Sequence, residues 1–241
     1  MDGRGFCYAP RMITAPAHGP TTAHPMTIHE HSLHDAGLHA VAGVDEVGRG
    51  ALAGPLVSAA VILPPLLEVE SDPFWERVRD SKTILEPERV RLASGILERV
   101  RASHIAFIDP ETIDRIGVGP ANRIAMETAI SGLPIAPDLA LLDAFITDLG
   151  LPQVSLIKGD SRSLSIAAAS IVAKVARDTV MHDLDADYAV FGFGRHKGYG
   201  VASHLAALNA YGPCPAHRRC FAPVSLAQAA FVARVGTYDD D

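Results

Sequence analysis

Ala40-Val41-Ala42-Gly43-Val44-Asp45-Glu46-Val47-Gly48-Arg49-Gly50, followed after a short corner by Leu56-Val57-Ser58-Ala59-Ala60-Val61-Ile62-Leu63, is the stretch on which the fold turns. Two short apolar runs separated by a glycine-rich corner read as strand, turn, strand. Downstream the period changes. Val90, Leu92, Ile96, Leu97 and Val100 recur at roughly helical intervals within residues 86–101, and residues 103–108 form a short strand stopped by Asp109-Pro110. A second helix is predicted over 121–130, with Pro120 at its start and Gly132 beyond its end. Residues 139–143 and 154–157 read as strands. Residues 163–185 read as a long helix whose Ala167-Ala168-Ala169-Ser170 run permits close packing on a sheet. A hairpin followed by strands alternating with helices predicts an α/β fold with a mixed sheet.

The chain has 241 residues, 48% hydrophobic and 20% charged, the composition of an ordinary globular protein long enough to bury a core. Charged residues or prolines interrupt every apolar run before the roughly 18 residues that a membrane helix needs, so no membrane association is expected. The first forty residues contain no apolar segment behind a basic start. Cys7, Cys214 and Cys220 show no CxxC spacing, so a reducing, cytoplasmic setting is expected. Pro10, Pro16, Pro20 and Pro25 mark residues 1–38 as a flexible N-terminal extension, in which His29, His31 and His34, with His39 just beyond, read as solvated. The globular domain is placed at 39–223, helical from about 186, and residues 224–241 are read as a C-terminal tail.

The net charge of −7 argues against a simple polyanion binder. Its distribution argues otherwise. Residues 155–223 hold eight basic against five acidic residues and four histidines, while residues 41–154 hold ten basic against seventeen acidic. A basic stripe beside an acidic cluster suits an enzyme that holds a phosphodiester against cations.

Four carboxylates stand in unusual places. Asp45 and Glu46 close one apolar strand, Asp143 closes another, and Asp160 sits in Lys158-Gly159-Asp160-Ser161 just before the long helix. Strand ends and helix starts at one sheet edge are where α/β folds place ligands. Two carboxylates about 4 Å apart repel by about 4 kcal/mol at an effective dielectric of 20, so convergence would demand protons or cations. With no His or Cys nearby in sequence, the donors are all oxygen, which favours Mg²⁺ or Mn²⁺; two such ions suit phosphodiester hydrolysis. Taken singly, each acid has a plainer reading: Asp160 as a helix cap, Asp143 as a loop acid, Asp45-Glu46 on a solvated hairpin edge. Alternation along a strand also points Asp45 and Glu46 to opposite faces unless the strand ends or bulges there. Glycines 48, 50 and 54 do not spell a dinucleotide loop. They do let backbone amides approach a sugar, a way of reading a 2′-hydroxyl.

Val44-Asp45-Glu46-Val47-Gly48-Arg49-Gly50, Asp80-Ser81-Lys82, Leu142-Asp143, Lys158-Gly159-Asp160-Ser161, Ala168-Ala169-Ser170-Ile171-Val172-Ala173-Lys174, His196-Lys197-Gly198-Tyr199-Gly200 and His217-Arg218-Arg219, in that order, closely resemble ribonuclease HII, the type 2 ribonucleases H. The resemblance runs from about 41 to 223. It implies an RNase H-like fold, a mixed five-stranded sheet flanked by helices with a C-terminal helical extension. It further implies endonucleolytic hydrolysis of RNA in RNA/DNA hybrids and nicking 5′ of single ribonucleotides in duplex DNA, leaving 3′-hydroxyl and 5′-phosphate, a role in ribonucleotide excision repair. Asp45, Glu46, Asp143 and Asp160 match the family's metal-binding tetrad for two Mg²⁺ or Mn²⁺ ions. Gly48, Arg49 and Gly50 match the loop that reads the 2′-hydroxyl, Tyr199 matches the tyrosine that packs on the following deoxyribose, and Lys82 resembles a phosphate contact. A monomer is expected.

Four positions depart from the family pattern: Gly117 where many relatives carry Asn, Cys220 for Ser, and Ala144-Phe145 for Gly-Asn after the third acid. The extension lacks the strand-rich pattern of the additional domain of ribonuclease HIII. Two rival readings stand beside the nuclease: a hybrid-binding module that has lost catalysis, and a two-metal phosphoesterase for small substrates. Lys174 and Arg177, three apart on the long helix, read as a solvated face; His196, Lys197, Arg218 and Arg219 read as candidate phosphate contacts, with surface solubility the rival reading.

Overall fold

A computed structural model describes residues 24–235. Five strands form one sheet in the order β3-β2-β1-β4-β5. The strands are β1 (Val41–Val47), β2 (Leu56–Ile62), β3 (Ala102–Ile108), β4 (Leu139–Asp143) and β5 (Gln153–Leu156). The first three pair antiparallel, from Ala42↔Ile62 to Val47↔Val57 and from Leu56↔Ile108 to Ile62↔Ala102. β1–β4 and β4–β5 pair parallel. The sheet is mixed because β1 is made by a hairpin on one side and reached by a crossover on the other.

The helices, in chain order, are α1 (Ile28–Asp35), α2 (Leu66–Ser71), α3 (Glu86–Arg99), α4 (Pro110–Ile116), α5 (Val118–Ser131), α6 (Leu164–Asp187), α7 (Phe193–His196), α8 (Ala202–Tyr211) and α9 (Ala222–Val235). The alternation of β2 shows the layers. Val57, Ala59 and Val61 join α3 and α6 in one core, whereas Ala60 and Ile62 join Met126 and Ala129 of α5 in another. The sheet is therefore covered on both faces, which is why β2 is buried along its whole length.

Gly43 shows how closely one layer lies: a Cβ there would overlap the backbone of Ser165 and Ile166 in the first turn of α6. That turn is held from a second side by Glu30, which accepts from the Ser163 hydroxyl (2.6 Å) and from the amide and hydroxyl of Ser165 (3.0 and 2.8 Å). Part of the segment read as a loose extension is thus an ordered helix, α1, with Glu30 and Leu33 buried. Sequence period missed it because α1 is short and carries few apolar residues; its anchor is polar. Among the four histidines read as solvated, His31 contacts Glu70 (2.6 Å), and His34 and His39 meet edge to face. Residues 222–235, mostly placed in a tail, are α9, with Val224 and Ala227 buried. The remaining readings of extension and tail fall on residues 1–23 and 236–241, outside the described residues. No helix in the described chain is long and apolar enough to cross a membrane.

Candidate active site

The four acids come from three segments that end at one edge of the sheet. Asp45 and Glu46 lie on β1, Asp143 is the last residue of β4, and Asp160 sits in a single 3-10 turn, Gly159–Ser161, ahead of α6. β1 neither ends nor bulges at Asp45, contrary to the expectation, since its pairing with β2 continues in register to Val47. What opens there is the other edge. Pairing with β4 stops at Val44↔Leu142, so beyond that point β1 has no neighbour on the side where β4 turns away at Asp143. Asp45 and Glu46 are therefore the first residues of β1 that lack a paired strand on that side.

Hydrogen bonds orient the carboxyls. The Glu46 amide donates to Asp45 Oδ1 (2.8 Å), the Gly159 amide to Asp143 Oδ1 (2.7 Å), and Lys82 Nζ to Asp160 Oδ2 (3.0 Å). Asp160 does not cap α6: that is done by Ser163, whose hydroxyl accepts from the Ile166 amide at 3.3 Å. Burial drives the Asp45 pKa well above the usual carboxylate range, and the charges of Glu46 and Asp143 push the same way. Burial also raises Glu46, with Arg49 opposing and Asp143 reinforcing, and raises Asp143, with the Gly159 amide opposing and Asp160 reinforcing. The hydrogen bond to Asp160 raises Lys82. Asp45 thus feels Glu46 and Asp143, Glu46 feels Asp143, and Asp143 feels Asp160, with Arg49 and Lys82 opposing only in part.

Among the described residues, no three His, Cys, Asp or Glu side chains are grouped closely enough to hold a metal ion as they stand. The donor chemistry nevertheless fits a hard divalent cation, because the candidate donors are carboxylate oxygens and no His or Cys acts on them. Closing a cage requires the carboxylates to draw together.

Beside the acids runs the glycine corner. Gly48 has φ +86°, and a Cβ there would strike the Arg177 side chain; at Gly50 nothing lies within 4 Å of that position. Gly48 is demanded by the fold, while at Gly50 the space is open to a ligand. Arg49 and Gly50 are exposed, as are the Lys82 side chain (74%) and Tyr199 (37%). Tyr199 stands over the Arg177 guanidinium, 5.6 Å from its ring centroid.

Several cations lie elsewhere than the sequence reading put them. Arg177 is fully buried, not solvated, and donates to Ala53, Pro55 and Lys197 carbonyls at 2.8–3.0 Å. Its partner in the same reading, Lys174, is paired with Asp178 at 2.7 Å. Arg218, also fully buried, donates twice to the Gly54 carbonyl and once to that of Arg49, so it braces the corner from beneath and is not exposed to a phosphate. Lys197 is 8% exposed and spends its ammonium on Gly194 O, Glu86 and His182, and both ring nitrogens of His196 are engaged. A guanidinium survives burial when carbonyls take its donors. The signal for Arg177 was present: Ser170, Ala173, Arg177 and Met181 recur at helical spacing on the buried side of α6.

Two departures are explained by backbone geometry. Gly117 has φ +82° at the joint of α4 and α5. Ala144 follows Asp143 with φ +47°, a left-handed conformation that suits glycine and strains alanine by about 1–2 kcal/mol. Ala144→Gly is expected to stabilise the fold by about 0.5–1 kcal/mol, the strain relieved less the added freedom of the unfolded chain. The denaturant midpoint should rise; a fall would show that the turn after Asp143 is unstrained.

A family model described as "Ribonuclease HII" matches residues 42–224. The chain is 49% identical over 184 residues to "Ribonuclease HII" of Geobacter metallireducens, covering 76% of this chain and 84% of that one. It is 43% identical over 182 residues to "Ribonuclease HII" of Acetivibrio thermocellus, covering 75% and 69%. Among solved structures it resembles ribonuclease H2 from Pyrococcus horikoshii OT3, with TM-score 0.68 and 25% identity, covering 79% of this chain and 98% of that one. Bst-RNase HIII in complex with Mn²⁺ shares the fold, with TM-score 0.59 and 21% identity over 81% of this chain and 71% of that one.

Proposed function

Because this chain belongs to the ribonuclease HII family, we propose that it hydrolyses the RNA strand of RNA/DNA hybrids and nicks duplex DNA on the 5′ side of single embedded ribonucleotides. The single observation that supports the reading is that, in addition to burial, Glu46 and Asp143 raise the Asp45 pKa, Asp143 raises that of Glu46 and Asp160 raises that of Asp143, toward the ends of β1 and β4 and in the turn before α6, near an open glycine corner. Asp45, Glu46, Asp143 and Asp160 would hold two divalent ions, Mg²⁺ or Mn²⁺. When bound, such ions supply Lewis-acid stabilisation of a phosphate and a more acidic water.

The chain's own groups do the rest. The Gly159 and Glu46 amides fix the rotation of Asp143 and Asp45 before substrate arrives, so little reorganisation remains. Lys82, largely exposed beside Asp160, would meet a phosphate oxygen. Backbone amides of Gly48-Arg49-Gly50 reach the ribose 2′-hydroxyl where a side chain at Gly50 would intervene. Tyr199 offers its exposed ring to the next deoxyribose. The oxygen of water bonds to phosphorus, the phosphorus bond to the preceding 3′-oxygen breaks, and that oxygen takes up a proton. A 3′-hydroxyl and a 5′-phosphate result. The protein would act as a cytoplasmic monomer in removing ribonucleotides from DNA.

The test is a duplex carrying one ribonucleotide, incubated with the protein and Mg²⁺ or Mn²⁺, with chelator as control. A nick 5′ of that ribonucleotide, absent under chelation and on all-DNA duplex, is the expected result. Salt-sensitive hybrid binding without any nick would replace the nuclease by a binding module, and unselective cleavage would remove the role of the glycine corner.

A further inference from the structure

The turn that carries Tyr199 is held by three histidines whose protons the hydrogen bonds assign. The Cys214 amide donates to His217 Nδ1 at 3.0 Å, with Cys214 Sγ 3.2 Å from the same nitrogen, which leaves the His217 proton on Nε2. That proton faces His204 Nε2 at 3.0 Å, so the His204 proton lies on Nδ1, which donates to the Tyr199 carbonyl at 2.9 Å. His196 stacks on His204 with centroids 4.5 Å apart, accepts from the Gly198 amide (3.2 Å) and donates to the Phe191 carbonyl (2.7 Å). His204 and His217 are buried against Phe191 and Phe193. Burial lowers both, His217 to about 4, so the pair is neutral at neutral pH, as the relay of single protons requires.

This wiring meets a turn that needs it. Lys197 and Gly198 both have positive φ (52° and 78°), and a Cβ on Gly198 would overlap the Ala53 carbonyl. The Leu52 amide donates to the Gly198 carbonyl, and the Arg218 amide next to His217 donates to Leu52 O. The Tyr199 turn, the glycine corner and the 214–218 segment are therefore one hydrogen-bonded unit. Within it, Tyr199 O is the acceptor at the end of the histidine relay.

We propose that His204, with its tautomer set by His217, is a positioning residue that holds Tyr199 in register with the Gly48-Arg49-Gly50 corner and so governs recognition of an RNA-to-DNA junction. The proposal rests on reading Tyr199 as the junction contact. Neither histidine touches substrate; the polar ends of both are spent within the protein.

The experiment compares kcat/KM on a duplex with one ribonucleotide and on a long RNA/DNA hybrid. It uses the wild type, Tyr199→Ala, His204→Asn, His204→Gln and the double variant Tyr199→Ala/His204→Gln. An Asn amide nitrogen falls near the position of Nδ1 and keeps the bond to Tyr199 O, whereas a Gln amide falls near Nε2 and loses it. Tyr199→Ala is expected to impair the single-ribonucleotide substrate more than the hybrid. His204→Gln should lower the single-ribonucleotide rate about fivefold relative to the hybrid rate, the worth of one hydrogen bond, while His204→Asn retains most of the ratio. In the Tyr199→Ala background His204→Gln should change the ratio no further. A selective Tyr199→Ala loss with an unchanged ratio in His204→Gln, equal ratios for Asn and Gln, or full additivity would overturn the positioning role alone. Equal losses of Tyr199→Ala on both substrates would overturn the junction assignment and this proposal with it. Should His204→Gln not fold, His217→Asn carries the same outcomes, since it keeps the acceptor for the Cys214 amide and removes only the donor to His204.

Discussion

Replacing Asp143 by Asn is expected to reduce turnover on hybrid substrate by on the order of 10³-fold while leaving hybrid affinity nearly unchanged. Asn keeps an oxygen at the Oδ1 position, so the Gly159 amide retains its acceptor and the turn that carries Asp160 stays in place. The substitution removes one negative charge from a group of four acids. If that group holds divalent ions, several kcal/mol of transition-state stabilisation go with it, which converts to a loss of about that size. If Lys82 and Arg49 bind phosphate, affinity should be spared, or slightly strengthened, because one repelling charge is gone. Single-turnover cleavage measured together with titration of an uncleavable hybrid checks this. Unchanged turnover would remove Asp143 from the metal set; a parallel loss of affinity would mean that Asp143 acts in binding.

The second large effect concerns stability. Gly43→Ala is expected to cost about 3 kcal/mol or more, enough to halve or abolish the stability of an ordinary domain. The added methyl meets backbone of Ser165 and Ile166, not a side chain that can rotate away. The first turn of α6 cannot easily retreat, because Ser163 caps it, Glu30 binds three of its donors, and the Leu164 amide donates to Met26 O. Any retreat would also shift Ser170 and the Asp160 turn, so residual folded protein should be a poor enzyme. Gly50→Ala is the control: nothing lies within 4 Å of its Cβ position, so stability should hold while single-ribonucleotide cleavage falls. Chemical denaturation of the two variants separates them, and a cost below about 1 kcal/mol at Gly43 would mean that α6 does not sit on β1 as described.

Much of this was legible in the chain, and the limit of legibility has a pattern. The five strands and the helices α3, α5 and α6 carry their own period and their own stops, such as Asp109-Pro110, and the structure moves their ends by only a residue or a few. The four acids stood out as candidates because carboxylates at or near the end of an apolar strand, or in the turn before a helix, have no packing purpose. What failed was the fate of cations. Arg177 and Arg218 look like solvent or phosphate residues, since burial of a guanidinium depends on carbonyls at Gly54, Pro55 and Lys197 that only the folded chain assembles. α1 was missed for the same reason, its anchor being one carboxylate on the start of a helix 133 residues away.

Local chemistry therefore determined the strand and helix order, the family and the four candidate acids, because backbone periodicity and charge at an apolar strand end act within a few residues. Tertiary structure alone decided that Asp45 and Glu46 are paired on one side of β1 and unpaired on the other. Pairing with β4 ends at Val44 while β1 stays in register with β2 to Val47, and that ending is a relation between residues 98 apart in the chain, invisible to any local pattern.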